Sequence, residues 1–327
     1  MTGLLGHSGP PLVPGHHALP PLIVTLVVGV LLPKVLARGD WAHRTPRLAL
    51  TTWVLLGVSL IASVSLTVLQ LLLPAVGSHH LSRLAEACLV SVGAHWAAVF
   101  PNGLAGVDAR VGAALAAAAL VPAAFTVALV REVLSARRLR TRHAELLCLV
   151  GSRRPGLRAT VLQHDTPAVY CLPGRAPHIV VSSGALQVLT EQQVAAVLEH
   201  ERAHITGRHH LLVAAARAFA ASFRELPLAR LARSEVPLLL EMAADDRALR
   251  RCSRDALATA LYAVASGQAP HAAFAAGGPS AVLRMRRILA PQAPGSPAPR
   301  TVCAALTAAA ALTPLVLACC SVPGLTD

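Results

Sequence analysis

His200 and His204 lie four residues apart in the stretch Leu198-Glu199-His200-Glu201-Arg202-Ala203-His204. Four residues is close to one helical turn, so on an α-helix both imidazoles project from one face and can offer a nitrogen to the same ion, with Glu201 beside it. A catalytic zinc takes three protein ligands and keeps a position for water, whose pKa it lowers towards neutrality; a neighbouring carboxylate then serves as general base. The pattern supplies two ligands for one zinc ion per chain and, in Glu201, the base.

The third ligand has to come from elsewhere, and the chain has only sixteen Asp and Glu among 327 residues from which to draw it. The best candidate is Glu241, in Pro237-Leu-Leu-Leu-Glu241-Met-Ala-Ala-Asp245-Asp246-Arg247. Pro237 suits a first helical turn, and Glu241 and Asp245 share a face. Glu241 is expected to bind zinc. Asp245 is expected behind it, accepting a hydrogen bond from a ligand imidazole and so fixing its tautomer.

Local signals place the first motif on a helix. Thr190 is a natural N-cap, Gln193 completes a capping box, Glu191 favours the positive end of the helix dipole, and Gly207 stands where a C-terminal glycine belongs. Before it, 159–163, 168–171 and 178–182 read as short strands separated by Asp165-Thr-Pro and Pro173-Gly, which predicts a small antiparallel sheet. Strand 168–171 is a candidate substrate-binding edge. Beyond the motif, 211–223 reads as an amphipathic helix lying against membrane or other helices, with His209 and His210 as interfacial residues, and a further helix runs from an N-cap at Ser253 to Gly267. Tyr262 and His178 are weak candidates for an oxyanion donor.

The segment Ala168-Val-Tyr-Cys-Leu-Pro-Gly174, then Ile179-Val-Val-Ser-Ser-Gly184, Leu189-Thr190, His200-Glu-Arg-Ala-His204 and Glu241-x-x-x-Asp245 resembles the membrane-embedded gluzincin peptidases. BlaR/MecR-type antirepressor metallopeptidases are the nearer likeness and HtpX-type proteases the more distant one. The resemblance covers about residues 140–250. It implies an α+β zincin-like domain with zinc held by His200, His204 and Glu241, Glu201 as base, and regulated proteolysis of a cytoplasmic DNA-binding repressor or of the chain itself. The antibiotic-sensing members carry a penicillin-binding sensor after their last span. This sequence has no such domain before its end at Asp327, so beta-lactam sensing is not expected.

Composition points to the membrane. The chain is 54% hydrophobic and 14% charged, more apolar than soluble domains usually are. Its net charge of +13 comes with arginines gathered beside apolar runs and no aromatic stacking pattern, so direct nucleic-acid binding is not expected. Seven cysteines show no Cys-x-x-Cys spacing, which excludes a cysteine zinc cluster and a disulfide framework. Four transmembrane helices are expected, at about 20–37, 48–74, 111–130 and 301–320. The run 87–100 is short for a span and reads as re-entrant or interfacial rather than spanning, because an extra crossing would put the next arginine cluster outside. Arg38, Arg44 and Arg47, and then Arg131, Arg137, Arg138, Arg140 and Arg142, mark two cytoplasmic faces by the positive-inside rule.

The expected organisation is therefore an N-terminal membrane region over 1–130, a cytoplasmic zinc peptidase domain over 131–290, and a Pro-rich linker with the last span over 291–327. Both termini then lie outside a multi-pass plasma-membrane protein whose partners are a protein substrate and the lipid bilayer. Two rivals stand beside this reading: a quality-control protease of HtpX type and a non-catalytic membrane scaffold. Glu201 argues against the scaffold, because a purely structural zinc has no use for a base that is not a ligand.

Overall fold

The computed structural model describes residues 19–72, 109–174, 176–268 and 278–290, with a few positions between 305 and 314. Three helices are long and apolar enough to cross a membrane: α1 (Leu19–Ala37), α2 (Pro46–Leu72) and α3 (Ala109–Val150). They correspond to the first three expected spans. The fourth, at 301–320, and the run 87–100 fall outside the described residues, apart from scattered positions between 305 and 314. Helix α3 does not stop at the arginines after residue 130. It continues to Val150, because arginine is a good helix former and nothing between Arg131 and Val150 breaks the pattern.

At Gly151 the chain turns directly into a strand, and a Cβ there would sit 2.6 Å from the Leu147 carbonyl oxygen. Four strands come next: β1 (Gly151–Arg154), β2 (Ala159–Leu162), β3 (Val169–Leu172) and β4 (His178–Ser182). Their order is β1-β2-β4-β3, with β2 and β4 parallel and the other two pairings antiparallel. This corrects the expected all-antiparallel sheet. The Ile-Val-Val run of β4 is buried, as a central strand requires, so β3 is displaced to the edge and returns by a hairpin, pairing Val169 with Val181 and Leu172 with His178.

Ser182 ends β4 and fastens the sheet to the next helix. Its hydroxyl donates to Thr166 O (2.9 Å) and accepts from Ala168 N (2.8 Å) and Ala185 N (3.0 Å). That last contact caps the short helix α4 (Ser183–Val188). The motif helix α5 (Glu191–Thr206) then begins with the expected capping box: Thr190 N donates to Gln193 Oε1 (2.9 Å) and Gln193 N to Thr190 Oγ1 (3.4 Å).

Helices α6 (His209–Ser222) and α7 (Pro227–Ala248) form an antiparallel pair packed on the apolar helices. Phe219 of α6 meets Phe125 of α3 edge to face at 6.2 Å, and an added Cβ at Gly57 of α2 would touch the Phe219 ring. One buried cluster joins Val28, Leu50, Trp53, Leu56 and Leu60 of α1 and α2 to Phe219, Leu228, Leu239 and Met242. The 211–223 run thus lies against other helices, as expected. The proline at the first turn of α7 is Pro227, not Pro237, which sits inside the helix; packing on α1 and α2 carries the helix through the missing N–H. Helices α8 (Arg254–Gln268) and α9 (Gly278–Leu289) close the domain. Ser253 Oγ accepts from Ala256 N at 3.2 Å, in agreement with its expected capping role.

Candidate metal centre

Helix α5 presents His200 and His204 to Glu241 on α7. Their Nε2 atoms are 3.2 Å apart. His200 Nε2 lies 3.4 Å from Glu241 Oε2 and His204 Nε2 lies 3.4 Å from Oε1. The three potential ligand atoms all fall within 4.8 Å of one another. Two imidazole nitrogens and a carboxylate converging on one point suit a divalent ion of zinc's kind. The structure brings together His200, His204 and Glu241, the three residues expected as ligands, in a cluster that could hold a metal ion.

Each histidine is held from behind. His200 is 3% exposed, and its Nδ1 lies 3.0 Å from Asp245 Oδ1, a close contact although not well aimed for a linear hydrogen bond. Asp245, fully buried, is where Glu241-x-x-x-Asp245 predicted it. The outer nitrogen of His204 faces a residue that spacing alone did not bring there: His209 Nδ1 is 2.9 Å from His204 Nδ1. This corrects the reading of His209 as merely interfacial. With the Nε2 lone pair of His204 turned to the metal position, its Nδ1–H donates to His209. Burial first, then the His204 charge, hold His209 down to about 4, so its Nδ1 stays free to accept.

Gly207 makes that contact possible. A Cβ at position 207 would lie 2.4 Å from His209 Nε2, so the glycine leaves room for the ring to fold back over the end of α5. The left-handed residue at this helix end is Arg208 (φ 49°), while Gly207 has φ −76°. The glycine expected for its backbone freedom is needed instead for its missing side chain.

Arg284, on α9, is the residue that motif and spacing did not reveal. Its Nε and Nη2 donate to Asp245 Oδ2 and Oδ1 at 2.9 and 2.8 Å, and its Nη1 lies 2.9 Å from Glu241 Oε2. One guanidinium thus ties both acids together, while Arg287 on the same helix pairs with Asp246 alone, at 2.6 Å. The available signal was thin: two adjacent buried-side acids, Asp245 and Asp246, demand cations, and Arg284 and Arg287 stand one helical turn apart. These contacts set the charges of the site. Burial alone would lower His200, but Asp245 and Glu241 outweigh it and raise the ring to about 9. Burial would raise the Glu241 carboxyl, yet His200, His204 and Arg284 hold it far below the usual range.

Glu201 follows His200 on α5, and the Cys171 thiol of β3 is its neighbour. Burial, then the Glu201 charge, push that thiol well above its ordinary value, so it is a neutral S–H facing a carboxylate. The surrounding pocket, about 360 Å³, is lined by Cys171, Leu172, His204, His209, Pro237 and Glu241 among others. His178 starts β4 and lines a neighbouring cavity instead, and Tyr262 is exposed on α8.

Residues 133–292 match the family model described as Peptidase family M48, a span that runs from the end of the apolar part of α3 through α9. Over that span, slightly under half of the chain, the sequence is similar to the metallopeptidases of that family. No curated protein and no solved structure is matched by the chain.

Proposed function

We propose that the protein is a membrane-bound zinc endopeptidase, with His200, His204 and Glu241 as the ligands and Glu201 as the general base. The observation that carries this is the convergence of three ligand atoms beside a glutamate that is not one of them. A zinc ion held there supplies Lewis acidity and lowers the pKa of water in the site. Glu201 takes the proton from the attacking water and returns it to the leaving nitrogen. Asp245 faces the outer nitrogen of His200 and His209 accepts from that of His204, and Arg284 helps keep Glu241 ionised and oriented. Edge strand β3, bonded to β4 on one side only, offers its other side to an extended substrate chain.

The three apolar helices support a membrane protein, and the two arginine clusters favour a cytoplasmic catalytic domain. The resemblance to antirepressor peptidases favours a cytoplasmic DNA-binding repressor, or the chain itself, as substrate; broad cleavage of unfolded membrane proteins would favour the quality-control reading. The test is Glu201→Gln in detergent-purified protein. The variant should keep about one zinc per chain and lose at least roughly a hundredfold in cleavage of a protein substrate such as casein. Retained activity would remove Glu201 as base.

A further inference from the structure

A second and larger cavity, about 770 Å³, opens beside the metal pocket. Its walls come from three places: Arg137 and Arg140 on α3, Leu172 and Pro173 at the end of β3, and Arg208 and His210 where α5 passes into α6. Arg140, Leu172, Pro173 and His210 also line the pocket that holds His204 and Glu241. A chain laid along β3 past the metal position therefore runs on into this cavity.

The cavity is charged with one sign. Among the described residues no Asp or Glu lines it, and Arg137, Arg140 and Arg208 make no ion pair with a carboxylate. His210 is pushed down by burial and then by the charges of Arg140 and Arg208, which leaves the arginines as the cations. Like charges gathered on a concave wall without counter-ions raise the local potential and draw in anions, and guanidinium groups take carboxylates with two parallel N–H donors. Arg208 contributes from a left-handed backbone (φ 49°), a conformation that costs any residue with a Cβ.

We propose that this cavity is a specificity subsite that takes acidic side chains of the substrate on one side of the cleaved bond. The proposal rests on the peptidase reading above. Continuity with the metal pocket through the end of β3 favours a peptide over a lipid headgroup as the occupant.

The test reads binding, so that it does not depend on turnover. Full-length Glu201→Gln protein in phosphatidylcholine nanodiscs is titrated, by fluorescence anisotropy, with a labelled extended peptide carrying a run of glutamates and with its glutamine twin. The glutamate peptide should bind roughly tenfold tighter or more, a preference that salt weakens. Arg137→Gln/Arg140→Gln/Arg208→Gln should bring the ratio close to one, and Arg208→Gln alone, at an exposed position, should give an intermediate ratio even if the triple variant folds poorly. Equal affinity for the two peptides overturns the subsite. So does a result in which the arginine substitutions change only the retention of added phosphatidylglycerol, which would assign the cavity to lipid. Failure of the protein with Glu201 intact to cleave any substrate would instead refute the peptidase reading, with the peptide preference still measured.

Discussion

Asp245→Asn removes one charge and almost no volume from a fully buried position. The carboxylate takes two donors from Arg284, at 2.8 and 2.9 Å, and faces His200 Nδ1 at 3.0 Å. An asparagine offers one oxygen and one NH2, so a donor must turn towards either the guanidinium or the imidazole N–H. Breaking one partner of a buried pair costs about 3–5 kcal/mol when nothing compensates. Here Arg284 keeps Glu241 at 2.9 Å, which brings the expected loss down to about 2–3 kcal/mol. For a domain of this size that is a fall in Tm of roughly 5–10 °C. Zinc affinity should fall by roughly 10–100-fold, because His200 loses the acceptor that sets its tautomer. Differential scanning fluorimetry with chelator reads the first effect, and competition against a fluorescent zinc chelator reads the second. A variant that binds zinc within about twofold of wild type would refute the argument that Asp245 acts through His200.

The remaining predictions concern the same shell and the sheet. Because His200 without metal is held up at about 9, zinc must displace a proton from it at neutral pH, so apparent zinc affinity should climb by about one log unit per pH unit between about pH 7 and 9. The sign for the metal-free protein is opposite: a raised histidine stabilises fully below its unfolded pKa of about 6.5 and loses that contribution as pH rises through about 9. Its Tm should therefore fall over that range while the zinc-loaded protein's does not; a flat metal-free profile would count against the His200–Asp245 contact. His209→Ala should weaken zinc binding by roughly tenfold or more and alter the visible spectrum of the cobalt-substituted protein, with His209→Asn recovering part of both; Gly207→Ala should reproduce the loss by displacing the ring. Gly184→Ala would place a Cβ 1.9 Å from the Asp165 carbonyl oxygen and should lower Tm by several degrees, about 1–3 kcal/mol of strain, readable by the same fluorimetry.

What could be read from the chain and what could not divides by distance along it. The motif helix was legible because its signals are local: Thr190 and Gln193 close a box three residues apart, and His200 and His204 share a face by helical period alone. Glu241 and Asp245 were legible for the same reason. Strand 168–171 reads as a candidate edge and lies at one, but the parallel pairing of β2 with β4 was not legible, since a third strand lies between them in the chain and nothing in their alternation says so. The buried run Ile179-Val180-Val181 was the one hint of a central strand. Pro237 misled because tertiary packing carried α7 back to Pro227. Arg284 and His209 are set by long-range docking and by a glycine's missing side chain, neither of which periodicity reports.

On the proposed membrane placement, the unbroken course of α3 fixes how far from the bilayer the site can work. Val130 is the last residue of its uncharged run, and Ala136 already lines the metal pocket. Six residues at 1.5 Å each amount to about 9 Å along the helix axis. An extended chain covers that distance in about three residues, so a substrate anchored in the same membrane needs almost no slack to reach Glu201. Bonds close to the end of a neighbouring span are within range, whereas a folded domain sitting on the surface would have to unravel before its interior could arrive. On the proposed function and placement, reach as much as side-chain preference would select the bonds that are cut.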